Sequence, residues 1–267
     1  MSGTGMSHDE DAESGTRLTL DPSSWGIAIG GLAVGLARDE EDLAAVQRLR
    51  AVRFRGAKGV SDMDRFDPHC LHLLVRKSAQ KDVLAAARLR LLAGPVQLSD
   101  SYSAQFYDLG VIGRSGQRCM EIGRICIDAA HVHDPDILRA VLAGLTRLSL
   151  QTQADMLVGC ASFRGADPER HSEALAYLAA NHIGPETLRP GQGAEHILPL
   201  PNGTPTDATA GLKQVPALLR LYLGLGGWVS DHAVIDRDLD TLHVFAAVET
   251  AAIPPKRLRA LHLLARG

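Results

Sequence analysis

The sequence has 267 residues, of which 45% are hydrophobic, and a formal net charge of −3. This length predicts one large folded domain, and the near-neutral charge argues against a protein that binds nucleic acid. No apolar run approaches the roughly 20 residues that span a bilayer, and the acidic, polar start does not have the pattern of a signal peptide. We therefore expect a cytoplasmic protein, with any membrane contact at the inner membrane being peripheral. The four cysteines form no CxxC pair, so we expect reduced thiols and no metal site.

The start of the chain divides into a polar tail and a folded part. Residues 1–20 are rich in Ser, Gly, Asp and Glu, which predicts a disordered tail, and 21–267 are predicted to form a single domain. The apolar residues 27–36 predict a first strand. Asp39 is a good N-cap for a helix that runs to about Phe54, because acidic residues follow it in the first turn.

Strands and helices follow in mixed order. An early hairpin excludes a purely alternating βαβ plan, so the pattern favours an α/β or α+β domain around a mixed central sheet. The predicted elements are a hairpin of residues 71–76 and 83–92, strands at 120–128 and 156–163, helices from Asp134 or Asp136 and from 167 to about 181, a short helix at 215–223, and two strands within 232–249.

The segment EIGRICID, residues 121–128, contains an acid and an arginine inside an otherwise apolar strand. Strict alternation would place Glu121 on one face of that strand and Arg124 on the other. Charges in such a strand are unfavourable to bury unless they are paired or functional. The pattern alone leaves two interpretations open, a catalytic pair or a structural ion pair at the end of a sheet.

Arginines are concentrated in three further places. They occur in RLRAVRF at 48–54, before the acidic DMDRFD at 62–67, and in the strand that contains Arg88 and Arg90. Arginine binds carboxylates and phosphates bidentately, which suits an anionic substrate. A solvated helix face or an exposed sheet edge would explain the same residues.

These segments, in this order, resemble the acyl-homoserine lactone synthases, and more closely the L-ornithine Nα-acyltransferase family. RLRAVRF, DMDRFD, AARLRLL and MEIGRICID carry the general resemblance. Two later blocks carry the closer one, GCASFRGADPERHSEAL at 159–175 and LRLYLGLGGWVSDHAVIDRDLDTLHVF at 219–245. The resemblance covers about residues 25–255.

The resemblance implies a GNAT-like acyltransferase fold, with a mixed sheet that splays in the middle and helices on both faces. It implies transfer of a 3-hydroxyacyl group from acyl carrier protein to the α-amino group of ornithine, giving lyso-ornithine lipid. No bound cofactor is expected, because the phosphopantetheine arm of the carrier supplies the thioester. DAAHVHDPDI at 128–137 lacks the glycines that would bind a pyrophosphate, which favours a carrier-protein donor over CoA.

The chemistry of amide formation assigns roles to the charged residues. The acceptor amine must lose a proton before it attacks, and Glu121 is the predicted general base, with Arg124 positioning it or the donor. An amino-acid acceptor also needs partners for its carboxylate and its second ammonium. The predicted residues are Arg50 or Arg88 for the carboxylate and Asp64 or Asp67 for the ammonium.

Acyl carrier proteins are acidic, so a basic docking site is also expected. We predict it at Arg48, Arg53 and Arg55, near the end of the first helix. Two alternative functions remain open from the sequence. One is an acyl-homoserine lactone synthase, and the other is a non-catalytic module that binds carrier protein or lipid.

Overall fold

The structure is a computed structural model that describes residues 20–56, 59–78, 80–202 and 205–267. Nearly all of the predicted disordered tail lies outside these residues. The described part forms eleven β-strands and eight α-helices. The strands are β1 (Gly26–Ile29), β2 (Leu32–Leu36), β3 (Leu71–Lys77), β4 (Ala85–Leu92), β5 (Tyr107–Asp108), β6 (Cys119–Ile127), β7 (Met156–Arg164), β8 (Gly191–Gln192), β9 (Ile197–Pro199), β10 (Trp228–Asp236) and β11 (Thr241–Glu249). The helices are α1 (Glu40–Arg55), α2 (Pro95–Ser99), α3 (Gly110–Arg114), α4 (Pro135–Thr152), α5 (Ser172–Asn181), α6 (Ala208–Gln214), α7 (Ala217–Gly224) and α8 (Pro255–Leu264).

Nine of the strands form one mixed sheet, in the order β1-β2-β3-β4-β6-β7-β11-β10-β9. Every neighbouring pair is antiparallel except β6 and β7, which are parallel. The predicted mixed central sheet is therefore confirmed. Strands β5 and β8 form a separate two-stranded ribbon.

Helices cover both faces of the sheet. On one face, called the α1 face, α1 packs on β3, β4 and β6, and α2 and α3 pack beside the middle strands. On the other face, called the α4 face, α4 packs on β1 to β4, α5 and α7 pack on the later strands, and α8 packs on α4. No helix in the described ranges is both long and apolar enough to cross a bilayer.

The first elements of the chain form as the sequence predicts, except that the predicted first strand is divided. The Asp39 side chain accepts a hydrogen bond from the Asp42 amide at 2.8 Å and caps α1 as predicted. The region predicted as one strand, residues 27–36, contains two strands, β1 and β2. Gly30 and Gly31 adopt φ values of 55° and 82°, which turn the chain back on itself into the β1–β2 hairpin.

Strand β6 departs from simple alternation. Arg88 pairs with Gly123 and Ala86 pairs with Cys126, so two residues of β6 lie opposite one residue of β4. This is a β-bulge, and Arg124 adopts a left-handed conformation within it with φ at 50°. The extra residue reverses the alternation beyond it. The expectation that Glu121 and Arg124 lie on opposite faces is therefore wrong, because both point to the α1 face.

The parallel pair at the centre of the sheet separates after three residue pairs. Pairing runs from Cys119 with Met156 to Glu121 with Val158 and then ends. At the last close contact, a Cβ atom on Gly159 would lie 2.3 Å from the Ile122 carbonyl oxygen, so only glycine fits there. Beyond it β6 and β7 diverge, which confirms the predicted splayed sheet.

Candidate active site

A cavity of about 420 Å³ occupies the space between the diverging strands. Its walls include Ile122–Ile125 of β6 and Gly159–Ser162 of β7. It extends to both faces of the sheet. On the α4 face its lining is mainly apolar and includes Leu218, Leu219 and Tyr222, whereas on the α1 face it contains most of the charged groups of the lining.

Glu121 lies at the last paired position of β6 and lines this cavity. Its two carboxylate oxygens accept hydrogen bonds from main-chain amides, Oε2 from Tyr102 at 3.1 Å and Oε1 from Ser103 at 2.8 Å. The side chain forms no ion pair with any lysine, arginine or histidine in the described ranges. The alternative of a structural ion pair therefore does not apply to Glu121. The 102–103 turn holds its charge in place and leaves lone pairs on both oxygens.

Arg124 belongs to a different structure, which we call the arginine–aspartate cluster. It consists of Arg50, Arg55, Arg88, Arg124, Asp62, Asp64 and Asp67. Asp62, whose side chain is fully buried, accepts from Arg50, Arg55 and Arg124 at 2.9 to 3.2 Å. The cluster fastens the loop before β3 to α1, β4 and β6.

Within the cluster, the arginines favour the charged form of Asp67. Burial of Asp67 opposes its ionisation, but hydrogen bonds from Arg50 and from the Asp64 amide hold the pKa of its carboxyl below the ordinary value. Arg124 also stacks over Tyr102, with its guanidinium 5.0 Å from the ring centroid. Arg124 thus adjoins the turn that holds Glu121, without contacting the carboxylate itself.

The predicted acceptor-binding residues are brought together, but as partners of one another. Arg50 and Asp67 are paired at 2.5 Å, and Arg50 is only 1% exposed. Arg88 pairs with Asp64 at 2.6 Å and also lines the cavity. Among described residues, Arg50, Asp64 and Asp67 are absent from the lining. Their direct contact with an acceptor stays a prediction. The contacts that they form in the structure hold the arginine–aspartate cluster together.

The three predicted docking arginines differ in their availability. Arg55 is engaged by Asp62 and by Asp238. Arg48 is exposed and Arg53 is half-buried, and neither forms an ion pair within the described ranges. Arg53 also lines the cavity, so a free cation stands at its α1-face opening.

Sequence patterns missed several polar groups of the lining. His243 is 2% exposed, and the Tyr107 hydroxyl lies 3.1 Å from its Nδ1, while Nε2 has no partner in the described structure. Burial lowers the pKa of His243 to about 4, so its imidazole is neutral at physiological pH. Burial likewise raises the pKa of the Cys160 thiol to about 12, which makes it a poor nucleophile. A lone histidine or cysteine in an apolar strand has no sequence signal that would separate it from a core residue.

The turn between β6 and α4 is closed by its own side chains. Asp128 accepts from the Ala130 amide and Asp134 accepts from the Asp136 amide, both at 2.9 Å. These amides are therefore occupied by carboxylates, which also repel other anions. The described residues contain no group of three or more histidine, cysteine or acidic side chains placed to hold a metal ion.

The sequence is similar to known proteins over most of its length. Residues 49–142 match the Acetyltransferase (GNAT) domain family. The L-ornithine N(alpha)-acyltransferase of Rhodobacter capsulatus is 32% identical over 238 residues, which cover 84% of this chain and 92% of that protein. The protein of the same name from Agrobacterium fabrum is 28% identical and covers 84% of this chain and 83% of its own length. The chain belongs to the L-ornithine Nα-acyltransferase family. It is an acyltransferase of GNAT-like fold, as the sequence resemblance predicts.

The similarity of this chain to solved structures is more distant. An N-acyl amino acid synthase from uncultured soil microbes matches with a TM-score of 0.46 and 9% identity, over 82% of this chain and 92% of that one. A CoA-dependent acyl-homoserine lactone synthase matches with a TM-score of 0.42 and 14% identity, over 84% and 81%.

Proposed function

We propose that the protein transfers a 3-hydroxyacyl group from acyl carrier protein to the α-amino group of L-ornithine, forming lyso-ornithine lipid. The observation that carries the proposal is the position of Glu121, a carboxylate held by main-chain amides at the point where β6 and β7 separate. The acceptor follows the names of the relatives from Rhodobacter capsulatus and Agrobacterium fabrum.

The donor arm would lie in the cavity along β6. From Ile122 onward, the side of β6 that faces β7 has no strand partner in the described structure. Its main-chain groups are therefore available to the amides of an extended phosphopantetheine arm, much as a sheet edge binds a peptide. The apolar lining on the α4 face, at Leu218, Leu219 and Tyr222, suits the fatty acyl chain.

A carrier-protein donor fits the turn between β6 and α4 better than CoA does. The pyrophosphate of CoA would require free main-chain amides there, and the Asp128 and Asp134 side chains already accept from those at Ala130 and Asp136. A carrier protein presents a single phosphate and can add contacts from its own surface. Within the described ranges, Arg48 and Arg53 are the free cations of the predicted docking site, whereas Arg55 is engaged by Asp62 and Asp238.

The reaction must remove two protons from the acceptor nitrogen and stabilise one oxyanion. Glu121 would accept the proton from the α-ammonium, directly or through a water, and the neutral amine would attack the thioester carbon. Main-chain amides of β6 beyond Glu121 would stabilise the negative oxygen that develops. Collapse of the intermediate breaks the carbon–sulfur bond, and the leaving carrier thiolate takes up the second proton from the nitrogen, while Glu121 returns the first proton to solvent. Arg124 would position the Tyr102–Ser103 turn through its stacking on Tyr102.

The acceptor carboxylate would bind the arginines on the α1 face. Arg88 and Arg90 both line the cavity, and they lie on one face of β4 as the sequence predicts. Arg88 is our assignment for the carboxylate, with Arg50 holding the cluster behind it. The product is a single-chain amphiphile, so we infer a cytoplasmic enzyme that contacts the inner membrane peripherally.

A direct test supplies the purified protein with 3-hydroxyacyl carrier protein and one amino acid at a time. We expect thiol release with ornithine, and a product whose mass equals that of ornithine plus the 3-hydroxy fatty acid minus water. The same acyl group on CoA should give a far lower kcat/KM, and comparable values would contradict the donor assignment. A lactone formed from S-adenosylmethionine would instead identify an acyl-homoserine lactone synthase. Donor binding without turnover would identify a binding module.

A further inference from the structure

The last helix has a charge pattern unlike the rest of the protein. The chain carries a net charge of −3, yet residues 251–267 contain four lysines and arginines and no acidic residue. Lys256, Arg257 and Arg259 lie in α8 and are exposed. None of them forms an ion pair within the described ranges.

The outer face of α8 combines cations with an exposed apolar side chain. Lys256, Arg259 and Leu263 follow one another at helical spacing, and Leu263 is 67% exposed. Its inner face is apolar, because Leu258 and Leu261 pack against the Val248–Ile253 region. A basic face that also carries a leucine is typical of helices that lie on anionic lipid surfaces.

The position of α8 connects this surface to the cavity. Leu258 and Leu261 belong to the same hydrophobic cluster as Tyr222, which lines the apolar end of the cavity. Helix α8 also packs on α4, so it lies on the α4 face, opposite to Arg53. The free cation of the carrier site and the basic helix are thus on different faces of the sheet.

We propose that the outer face of α8 is a membrane-docking surface that binds anionic lipid. Docking there brings the apolar end of the cavity to the bilayer, where an amphiphilic product is released. The proposal rests on the proposed function only for that product, since the charge and exposure of α8 do not depend on it. An acidic carrier protein is the other partner that a basic helix could bind, and the test separates the two.

The test compares two triple variants with the same change in net charge. One is Lys256→Gln/Arg257→Gln/Arg259→Gln. The control is Lys77→Gln/Arg114→Gln/Lys213→Gln, which removes three exposed cations that form no ion pair in the described ranges and lie outside both α8 and the cavity lining. Both variants are first checked for an unchanged melting temperature, because α8 packs on the core.

Binding is measured without substrates, by sedimentation with vesicles of phosphatidylcholine containing about one-third phosphatidylglycerol. The wild type and the control should bind, and high salt should release both. The α8 variant should bind roughly 10²-fold more weakly, since each basic residue near an anionic surface contributes about fivefold. Leu263→Ser should weaken binding by a smaller factor without changing charge.

Three results would overturn the proposal. The first is wild-type affinity for these vesicles in the α8 variant, and the second is the absence of binding by the wild type. The third is a raised KM for the acyl carrier thioester in a vesicle-free assay of the α8 variant, which would make α8 a carrier surface. Because vesicle binding needs no turnover, loss of the proposed acyl transfer would be recognised separately.

Discussion

Two groups of charges lie side by side on the α1 face, and they are neutralised in different ways. In the arginine–aspartate cluster each carboxylate has arginine partners, and Asp62 alone contacts three of them. Glu121 has no such partner in the described structure, and two main-chain amides hold it instead. Both arrangements satisfy a buried charge, but only the second leaves the carboxylate without a competing cation.

One group is a rigid frame, and the other is the carboxylate for which we propose the role of general base. Arginine–aspartate pairs are strong when buried, and removing one partner leaves an unpaired charge. Such pairs therefore suit the attachment of a loop. A carboxylate held by neutral amides keeps its lone pairs open to a substrate ammonium. The two groups should consequently respond to mutation in opposite ways, one in stability and the other in rate.

The largest expected effect is on catalysis by Glu121. In Glu121→Gln the side chain keeps its shape and loses its proton acceptor, so we expect kcat to fall roughly 10²- to 10⁴-fold. Folding should be largely preserved, because one amide oxygen can still accept from the 102–103 turn. Steady-state rates and thermal melting measured on the same preparation will check this. Near-normal kcat at saturating substrates would rule out the base assignment.

The pH profile provides a second readout for the same variant. Without the base, only an acceptor amine that is already neutral can attack, so the rate of Glu121→Gln relative to the wild type should increase as the pH rises. Glu169→Gln, an exposed site outside the cavity lining, is the matched control and should keep the wild-type profile.

The opposite response is expected for Asp62. Asp62→Asn leaves three arginines short of a buried counter-charge, and we expect the free energy of unfolding to fall by about 3–5 kcal/mol. Denaturant unfolding will measure it. Asp238→Asn is the control, because Asp238 contacts Arg55 from an exposed position, and its loss should cost about 1 kcal/mol or less. Equal stability losses in the two variants would contradict the structural role of the cluster.

A smaller effect, on the pH dependence of stability, is expected from His243, whose neutral imidazole lies in the cavity wall. The pKa of His243 is about 4 in the folded protein, against an ordinary value of 6.5. Between these values the unfolded chain binds more protons, so stability falls as the pH decreases through this window. From pH 7 to pH 5 the loss from this residue should be about 2 kcal/mol.

His243→Asn should remove that part of the pH dependence and keep a polar partner for Tyr107. Unfolding curves at pH 7 and pH 5 will compare the variant with the wild type and with His133→Asn, which changes an exposed histidine. If His243→Asn loses as much stability on acidification as the wild type, the neutral buried imidazole is not the cause.

The smallest effect, on KM for the donor, is expected at the α1-face opening of the cavity. Arg53→Gln removes a free cation from the α1-face opening, so we expect KM for the carrier thioester to rise several-fold at low salt, with kcat little changed. The increase should shrink as the ionic strength rises. Lys77→Gln serves as a control for net charge, and an equal rise in KM there would argue against a specific docking site.

Local patterns in the sequence predict most of the elements correctly. The N-cap of α1, the β3–β4 hairpin and the strands β6 and β7 follow from capping residues and apolar runs. The β1–β2 hairpin was missed because an unbroken apolar run hides the turn at Gly30 and Gly31. The bulge at Arg124 was missed because alternation cannot detect one inserted residue, and that residue decides which face every later side chain of β6 occupies.

Site residues were harder to predict than elements. The sequence identifies Glu121 and Arg124 as unusual, since charges rarely occur within an apolar strand. It does not reveal their partners. Asp62 and the amides of Tyr102 and Ser103 come from loops whose position depends on tertiary packing, so residue type and spacing contain no trace of their contacts. For the same reason Arg50 and Asp67 looked available to a substrate although they bind each other.

The divergence of β6 and β7 has a consequence for the protein's behaviour in solution. Unpaired strand edges are normally hazardous, because another chain can add to them and begin aggregation. Here two additional edges lie in the centre of the sheet, with helices on both faces and Gly159 closing the apex. Because helices cover both faces at this point, these inner edges are less accessible to another chain than the outer edges at β1 and β9. The fold can therefore keep backbone groups unpaired for a ligand without offering them to another chain.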